Sequence, residues 1–271
     1  MLLDGLRECP HCHTGPLSLF SITEPPVRIG LGVVLPIKCS NCNKISRVRT
    51  YKAHRTGTKG PAAPSLNTQA ALSTIHSGQG LTHLNGTLAL LGTGSISSTT
   101  YGKRMREAGL GIEEICERSL KKFKEEEKSR SENVDDEGHA LVSVSYDGAW
   151  QKRGKSRNSL TGFGTVVGDS TGKVLDYRVK STRCRFCEES TTDQIKPHDC
   201  RKNHVGSAKS MEPEIAVECF NDAPSCGVKY GTYTADEDAT TEAHVNYRVT
   251  YKTTKKSVGC LEAVFILYRK P

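Results

Sequence analysis

No run of 18 apolar residues occurs in the 271-residue chain, which excludes a membrane-spanning helix of ordinary length. The N-terminus, Met1-Leu2-Leu3-Asp4-Gly5, has no basic region, long apolar stretch or small-residue cleavage site. No signal peptide is expected, and the protein should be soluble and intracellular. Aromatic residues make up 6% with a single Trp, and the apolar share is 35% against 25% charged. That balance is polar for one compact globule and too apolar for a disordered chain, so it predicts folded modules joined by loose segments. A phosphate loop is missing as well. Gly92-Thr93-Gly94-Ser95 follows no strand and precedes no Lys-Ser or Lys-Thr, and reads as a turn between helices.

Cysteine is plentiful. Eleven cysteines, an odd number in a chain without an export signal, argue against a disulfide framework and for metal binding or buried thiols. Cys9-x2-Cys12 and Cys39-x2-Cys42 form two knuckles, each placing two thiolates on one tight turn. Joined by a short hairpin they complete a tetrahedral four-sulfur zinc site, a zinc-ribbon pattern over residues 1–50. His11 and His13 are expected to face solvent. A second cluster runs Cys184-x2-Cys187-x10-His198-x-Cys200-x3-His204. Cys184, Cys187, His198 and Cys200 are the preferred ligands of a second structural zinc, with His204 as the substitute.

Residues 51–65 are rich in Arg, Lys, Gly and Pro and read as a basic linker. Residues 66–130 read as a helical module with helices over 67–75, 80–91, 97–108 and 112–128. In the last of these, Ile112, Ile115, Cys116, Leu120 and Phe123 recur at helical spacing. The acidic stretch 129–138 marks a boundary, and 139–271 changes to strand periodicity. Strands are expected over 140–146, 160–167, 174–179 and 229–234, with a helix capped by Ser210 before the last.

Charge is uneven. The net formal charge is +8, and residues 151–209 carry 13 Lys/Arg against 6 Asp/Glu, a surplus that suits a polyanion. The first and fourth strands each deliver an aspartate at or just past the C-terminal end, Asp147 and Asp236. In a β-β-β-α-β order of the ribonuclease H type those strands are parallel neighbours. The two carboxylates would then meet as hard oxygen ligands for Mg2+ or Mn2+ in phosphodiester chemistry. Trp150, followed by Lys152, Arg153, Lys155 and Arg157, offers an aromatic face and cations to DNA bases and phosphates.

At these residues the chain resembles the Mutator-like transposase family. The matching stretches are Asp147 to Gly154 with Ser159-Leu160-Thr161-Gly162, then Gly172 to Asp176, Cys184-x2-Cys187, and His198 to Glu212. Tyr233 to Asp238 resembles the family's strand ending in Gly-Asp-Gly-Asp. The N-terminal knuckles and the helical region are similar too, so the resemblance spans roughly residues 9–250. It implies a DDE-type core in which Asp147 is the first acid and Asp236 the second, with Asp238 contesting the second place. The partners it implies are DNA, as transposon ends and target, and it allows a homo-oligomer without a membrane role. No nuclear-import cluster stands out, and a nuclear location rests on the DNA substrate alone.

The end of the chain departs from the family. Cys260-Leu-Glu-Ala263 has alanine where the family's Cys-x2-His motif has histidine, and the third acid has only Glu242 and Glu262 as nearby substitutes. The expected fold is therefore a multi-domain α+β and α/β chain. It comprises a zinc ribbon, a helical module and an incomplete ribonuclease H-like core (139–271) with a zinc-binding insertion at 183–206. Its function is that of a transposase or a transposase-derived fragment. The alternative is a catalytically dead, zinc-stabilised DNA- or protein-binding module.

Overall fold

The structure, a computed structural model, describes residues 2–58, 60–151, 159–189, 197–236 and 238–256. It divides into two compact units, Met1–Ile115 and Cys116–Pro271.

The first unit opens with a short helix α1 (Leu2–Leu6) and a three-stranded antiparallel sheet of β1 (Val27–Ile29), β2 (Gly32–Lys38) and β3 (Ile45–Arg49), in that order. β1 and β2 turn at Gly30, whose φ of +64° and contact with the Asn67 side-chain amide leave no room for a Cβ. Asn67 is buried and clamps this turn, accepting from the N–H of Leu31 at 2.9 Å and donating to the carbonyl of Ile29 at 3.0 Å. Along β3 the strand period of two separates buried Ser46 and Val48 from exposed Ile45, Arg47 and Arg49. The buried side joins Leu17, Ile37, Cys9 and Cys39 in a small core.

The segment expected as a linker contains a two-residue strand pairing, β4 (Ala53–His54) with β5 (Ala63–Pro64). Helices α2 (Ser65–Ser77), α3 (Leu81–Leu90) and α4 (Ser98–Ser129) follow. The two helices expected over 97–108 and 112–128 are one continuous helix of 32 residues. Gly109 and Gly111 lie where the two were to join, and each glycine costs a helix interior only about 0.5–1 kcal/mol, which the flanking turns override.

The second unit is built on a mixed sheet of β6 (Ala140–Trp150), β7 (Thr161–Gly168), β8 (Val174–Ser181), β9 (Val228–Thr234) and β10 (Thr254–Lys255). Its strand order is β10-β9-β6-β7-β8. β6, β7 and β8 are antiparallel, while β9 runs parallel to β6 and β10 parallel to β9. Helices α5 (Arg185–Glu189), α6 (Met211–Asp222) and α7 (Ala239–Arg248) complete it. The expected core stopped at the fourth strand; the chain adds α7 and a short fifth strand.

α6 buries Met211, Ile215, Ala216, Cys219 and Phe220 at helical spacing against Val142, Val144, Tyr146, Val166, Tyr230 and Tyr233 of the sheet. Phe220 meets Tyr230 and Tyr233 edge-on, at centroid distances of 5.1 and 5.3 Å. The expected Ser210 cap is not made: its hydroxyl donates to the carbonyl of Ser207 and meets His204 instead. The C-terminal part of α4 belongs to this unit through two buried polar contacts. Glu127 accepts from the N–H groups of Ser170 and Thr171 in the β7–β8 turn, and Lys124 donates to Asp176 at 2.9 Å. Among the described residues, no helix is long and apolar enough to cross a membrane.

Candidate metal centres and a carboxylate site

The two N-terminal knuckles are built alike. In each, the residue four positions after the first cysteine donates its N–H to that cysteine's carbonyl, His13 to Cys9 at 2.9 Å and Asn43 to Cys39 at 3.0 Å. Both residues take φ of 57°, so the chain reverses and aims two sulfurs at one point. Cys9 and Cys42 Sγ lie 3.7 Å apart, as do Cys12 and Cys39 Sγ. The edge of a sulfur tetrahedron around zinc, with bonds of about 2.3 Å, is about 3.75 Å. All four sulfurs therefore fit one structural zinc. The Thr14 N–H, followed by the Asn41 side chain, lowers the Cys12 thiol to about 5, which favours the ligating thiolate. His11 and His13 are exposed and outside the group, as expected.

Cys184, Cys187, His198 and Cys200 form the second cluster. His198 Nε2 lies 3.2 Å from Cys184 Sγ and 3.4 Å from Cys187 Sγ, and Cys187 and Cys200 Sγ are 3.7 Å apart. These spacings suit a Cys3His zinc site. The Cys187 N–H lowers the Cys184 thiol to about 6. His204, the alternative ligand, is not in this group. Asn203 and His204 both donate backbone N–H groups to the Ser181 carbonyl, which draws the chain away from the cysteines along β8. There the buried His204 ring meets Glu214 at 2.5 Å through Nδ1 and Ser210 at 2.9 Å through Nε2. Glu214 also contacts Lys180, so His204 ties the end of the insertion to α6 and β8.

Asp147 does not end its strand as expected. β6 continues to Trp150, and Asp147 pairs with Thr165 of β7. What ends there is the parallel ladder, whose last pair is Ser145 with Thr234. Asp147, on β6, and Asp236, just beyond the end of β9, therefore each stand two residues past the close of the same ladder, and both are exposed. Partial desolvation, and then the charge of Asp236, push the Asp147 carboxyl above its ordinary range.

A third carboxylate lies at this place, that of Glu212, which closes the stretch His198 to Glu212 that resembles the family but was not singled out there as a site residue. A glutamate in the first turn of α6 reads as an ordinary partner of the helix dipole. Desolvation raises its pKa, followed by the charges of Asp238, Asp147 and Asp236. The Tyr146 hydroxyl donates to the Glu212 carbonyl at 2.8 Å, fixing the helix start over β6. Gly148 is the neighbour that makes room: a Cβ there would stand 2.7 Å from the Glu212 carboxyl carbon. Asp238 is engaged otherwise. It caps α7, accepting from the N–H groups of Thr240 and Thr241 and from the Thr241 hydroxyl. Against a desolvation cost, these donors hold it below the usual carboxylate range.

The Asp147, Glu212 and Asp236 carboxylates do not close to the 4.8 Å mutual spacing that the two cysteine clusters reach. The third group at that spacing among the described residues is Asp135, Glu137 and His139, and the Lys229 ammonium already contacts both of its acids. Trp150 is half-buried, its ring over Gly162 and against the core. Lys152, Arg153, Lys155 and Arg157 lie outside the described residues, as do Cys260 and Glu262.

The family model for Mutator-like transposase matches residues 1–260. The chain belongs to the Mutator-like transposase family. The match covers both units and both cysteine clusters, and membership implies DNA binding in general terms. No curated protein matches the chain.

Proposed function

We propose that this member of the transposase family acts on DNA phosphodiesters with a divalent metal held by Asp147, Asp236 and Glu212. The observation that carries the reading is the convergence of these acids from β6, the end of β9 and the start of α6, at the point where one parallel ladder ends. The strand order, with a fifth strand parallel to the fourth, supports a ribonuclease H-like core. The donors are all carboxylate oxygens, which suit Mg2+ and Mn2+, and the bare Cα of Gly148 gives the Glu212 carboxyl its place. Two-ion sites spread their ligands over two centres about 3.5–4 Å apart, so a spacing wider than one coordination sphere fits that chemistry. Such ions, when bound, activate a nucleophile and stabilise the leaving oxygen.

In this reading Asp147 and Asp236 are the two family acids. Glu212 supplies a third carboxylate from within the described core, and Asp238 serves as the helix cap. Both zinc clusters are structural. The location follows from the substrate and is nuclear.

Divalent binding tests the carboxylate set directly. In the zinc-loaded full chain, millimolar Mn2+ should raise Tm, because an ion that binds only the folded state stabilises it. Asp147→Asn and Glu212→Gln should each abolish most of the shift while zinc content stays at about two per chain. Equal shifts in wild type and both variants would remove the metal from this site and leave a zinc-stabilised binding module as the better reading.

A further inference from the structure

Between Glu24 and Glu107 the chain has no acidic residue, while residues 25–106 carry 11 Lys and Arg. The first unit as a whole has 12 Lys and Arg against 6 Asp and Glu, so +6 of the net +8 resides there. The basic surplus of residues 151–209 is largely offset by acids elsewhere in the second unit.

The three-stranded sheet gives this charge a face. Cross-strand partners share a side of the sheet. The register pairs Val27 with Val34, Val34 with Arg49, Pro36 with Arg47 and Lys38 with Ile45. The opposite side carries Leu35, Ile37 and Val48 into the core with the zinc cysteines. On the outer side Gly32 and Pro36 of the central strand are buried, Gly32 under Tyr51 and Pro64, so the open part of the face is the Lys38 end and the β3 edge, where Lys38, Arg47 and Arg49 are exposed and, among the described residues, no carboxylate forms an ion pair with any of them. Asp4 and Glu8 are the nearby acids, lining a pocket with Arg47 and Arg49 at the β3 edge. Val27, Ile29 and Ile45 are also exposed on the outer side, at 52%, 41% and 41%, where a merely solvated face would carry polar residues.

We propose that this outer sheet face docks on duplex DNA, with Lys38, Arg47 and Arg49 on the phosphates and the aliphatic residues against the groove. Arg47 and Arg49 are about 6.8 Å apart along their strand, about twice the 3.4 Å axial rise per phosphate of one DNA strand. Sheet faces of this width are known to enter DNA grooves. The zinc and the Asn67 clamp hold the strands in register, so the cations are displayed without a further ordering cost. The docking is independent of the carboxylate reading, because it uses none of those residues.

The test is a salt titration of the zinc-loaded full chain on a labelled duplex, comparing wild type with Arg47→Ala/Arg49→Ala. The log–log salt slope should fall by about two, and affinity near 0.1 M salt roughly 10- to 100-fold. Arg47→Lys/Arg49→Lys should keep most of the slope, and Arg185→Ala, whose arginine is paired with Glu189, should change neither quantity. Unchanged slope and affinity in the alanine pair would overturn the proposal, as would equal loss in the lysine pair. Loss of self-association with DNA binding retained would assign the face to a second copy of the chain and overturn it too. Divalent-dependent Tm shifts measured on the same variants keep the two readings apart, since they should be unaffected by the arginine changes.

Discussion

Gly148 shows how one missing side chain shapes the carboxylate site. Alanine there would put a Cβ 2.7 Å from the Glu212 carboxyl carbon and 2.9 Å from Oε1, so Glu212 must swing away. Gly148→Ala should therefore leave the fold intact, as judged by zinc content and circular dichroism, yet reduce the Mn2+-dependent Tm shift to less than half of wild type. A full shift would mean that Glu212 is not a ligand. Asp135 offers a separate check through pH. The Lys229 ammonium, helped by the N–H groups of His139 and Glu137, lowers its pKa from 3.8 to about 2. Because the folded pKa is depressed, its stabilisation is present above 3.8 and is lost as pH falls towards about 2. The melting temperature of wild type should fall more steeply over that window than that of Asp135→Asn; parallel curves would contradict the pairing. That Asp147 and Asp236 lie near one another at the close of neighbouring strands was legible from strand periodicity, although β6 runs on past Asp147 to Trp150. Glu212 was not, because only the packing of α6 over β6 separates it from any first-turn glutamate.

Among the elements, α4 was misread and the knuckles were read well, for related reasons. Cys-x2-Cys spacing is a local constraint, and local turns with left-handed His13 and Asn43 satisfy it without reference to the rest of the chain. Helix continuity through Gly109 and Gly111 depends instead on what the flanking turns gain. A Cβ at either position would meet nothing within 4 Å. Gly109→Ala should thus raise stability by about 0.5–1 kcal/mol in urea melts. A decrease would mean that the helix bends there. His204 stayed open as a substitute ligand because sequence spacing cannot show the Ser181 and Asn203 contacts that lead it away from the sulfurs. Cys184→Ser should lower the zinc content by about one per chain and leave the N-terminal site loaded, as read by elemental analysis. Retention of both ions would show that the second cluster does not bind zinc.

At the scale of the molecule, two units, each with a cysteine-rich cluster that fits a structural zinc, divide the proposed work: a basic sheet face that grips DNA and a carboxylate site that acts on it. The strand sequence and the parallel pairing of β6 with β9 were legible from periodicity and the family resemblance. The fifth strand was not, because two residues leave no periodic signal. The basic character of the first unit was hidden for another reason: the charge count singled out residues 151–209, and the complete lack of acids from 25 to 106 shows only when the first unit is summed by itself. Nicking of supercoiled DNA by the zinc-loaded full chain in Mn2+, with Asp147→Asn beside it, decides whether the carboxylate site is a metal-dependent catalyst. Nicking should need the divalent ion and fall roughly 100-fold or more in the variant, with DNA affinity unchanged. Equal nicking by both proteins, or none by either in Mg2+ or Mn2+, would rule out metal-dependent cleavage at Asp147.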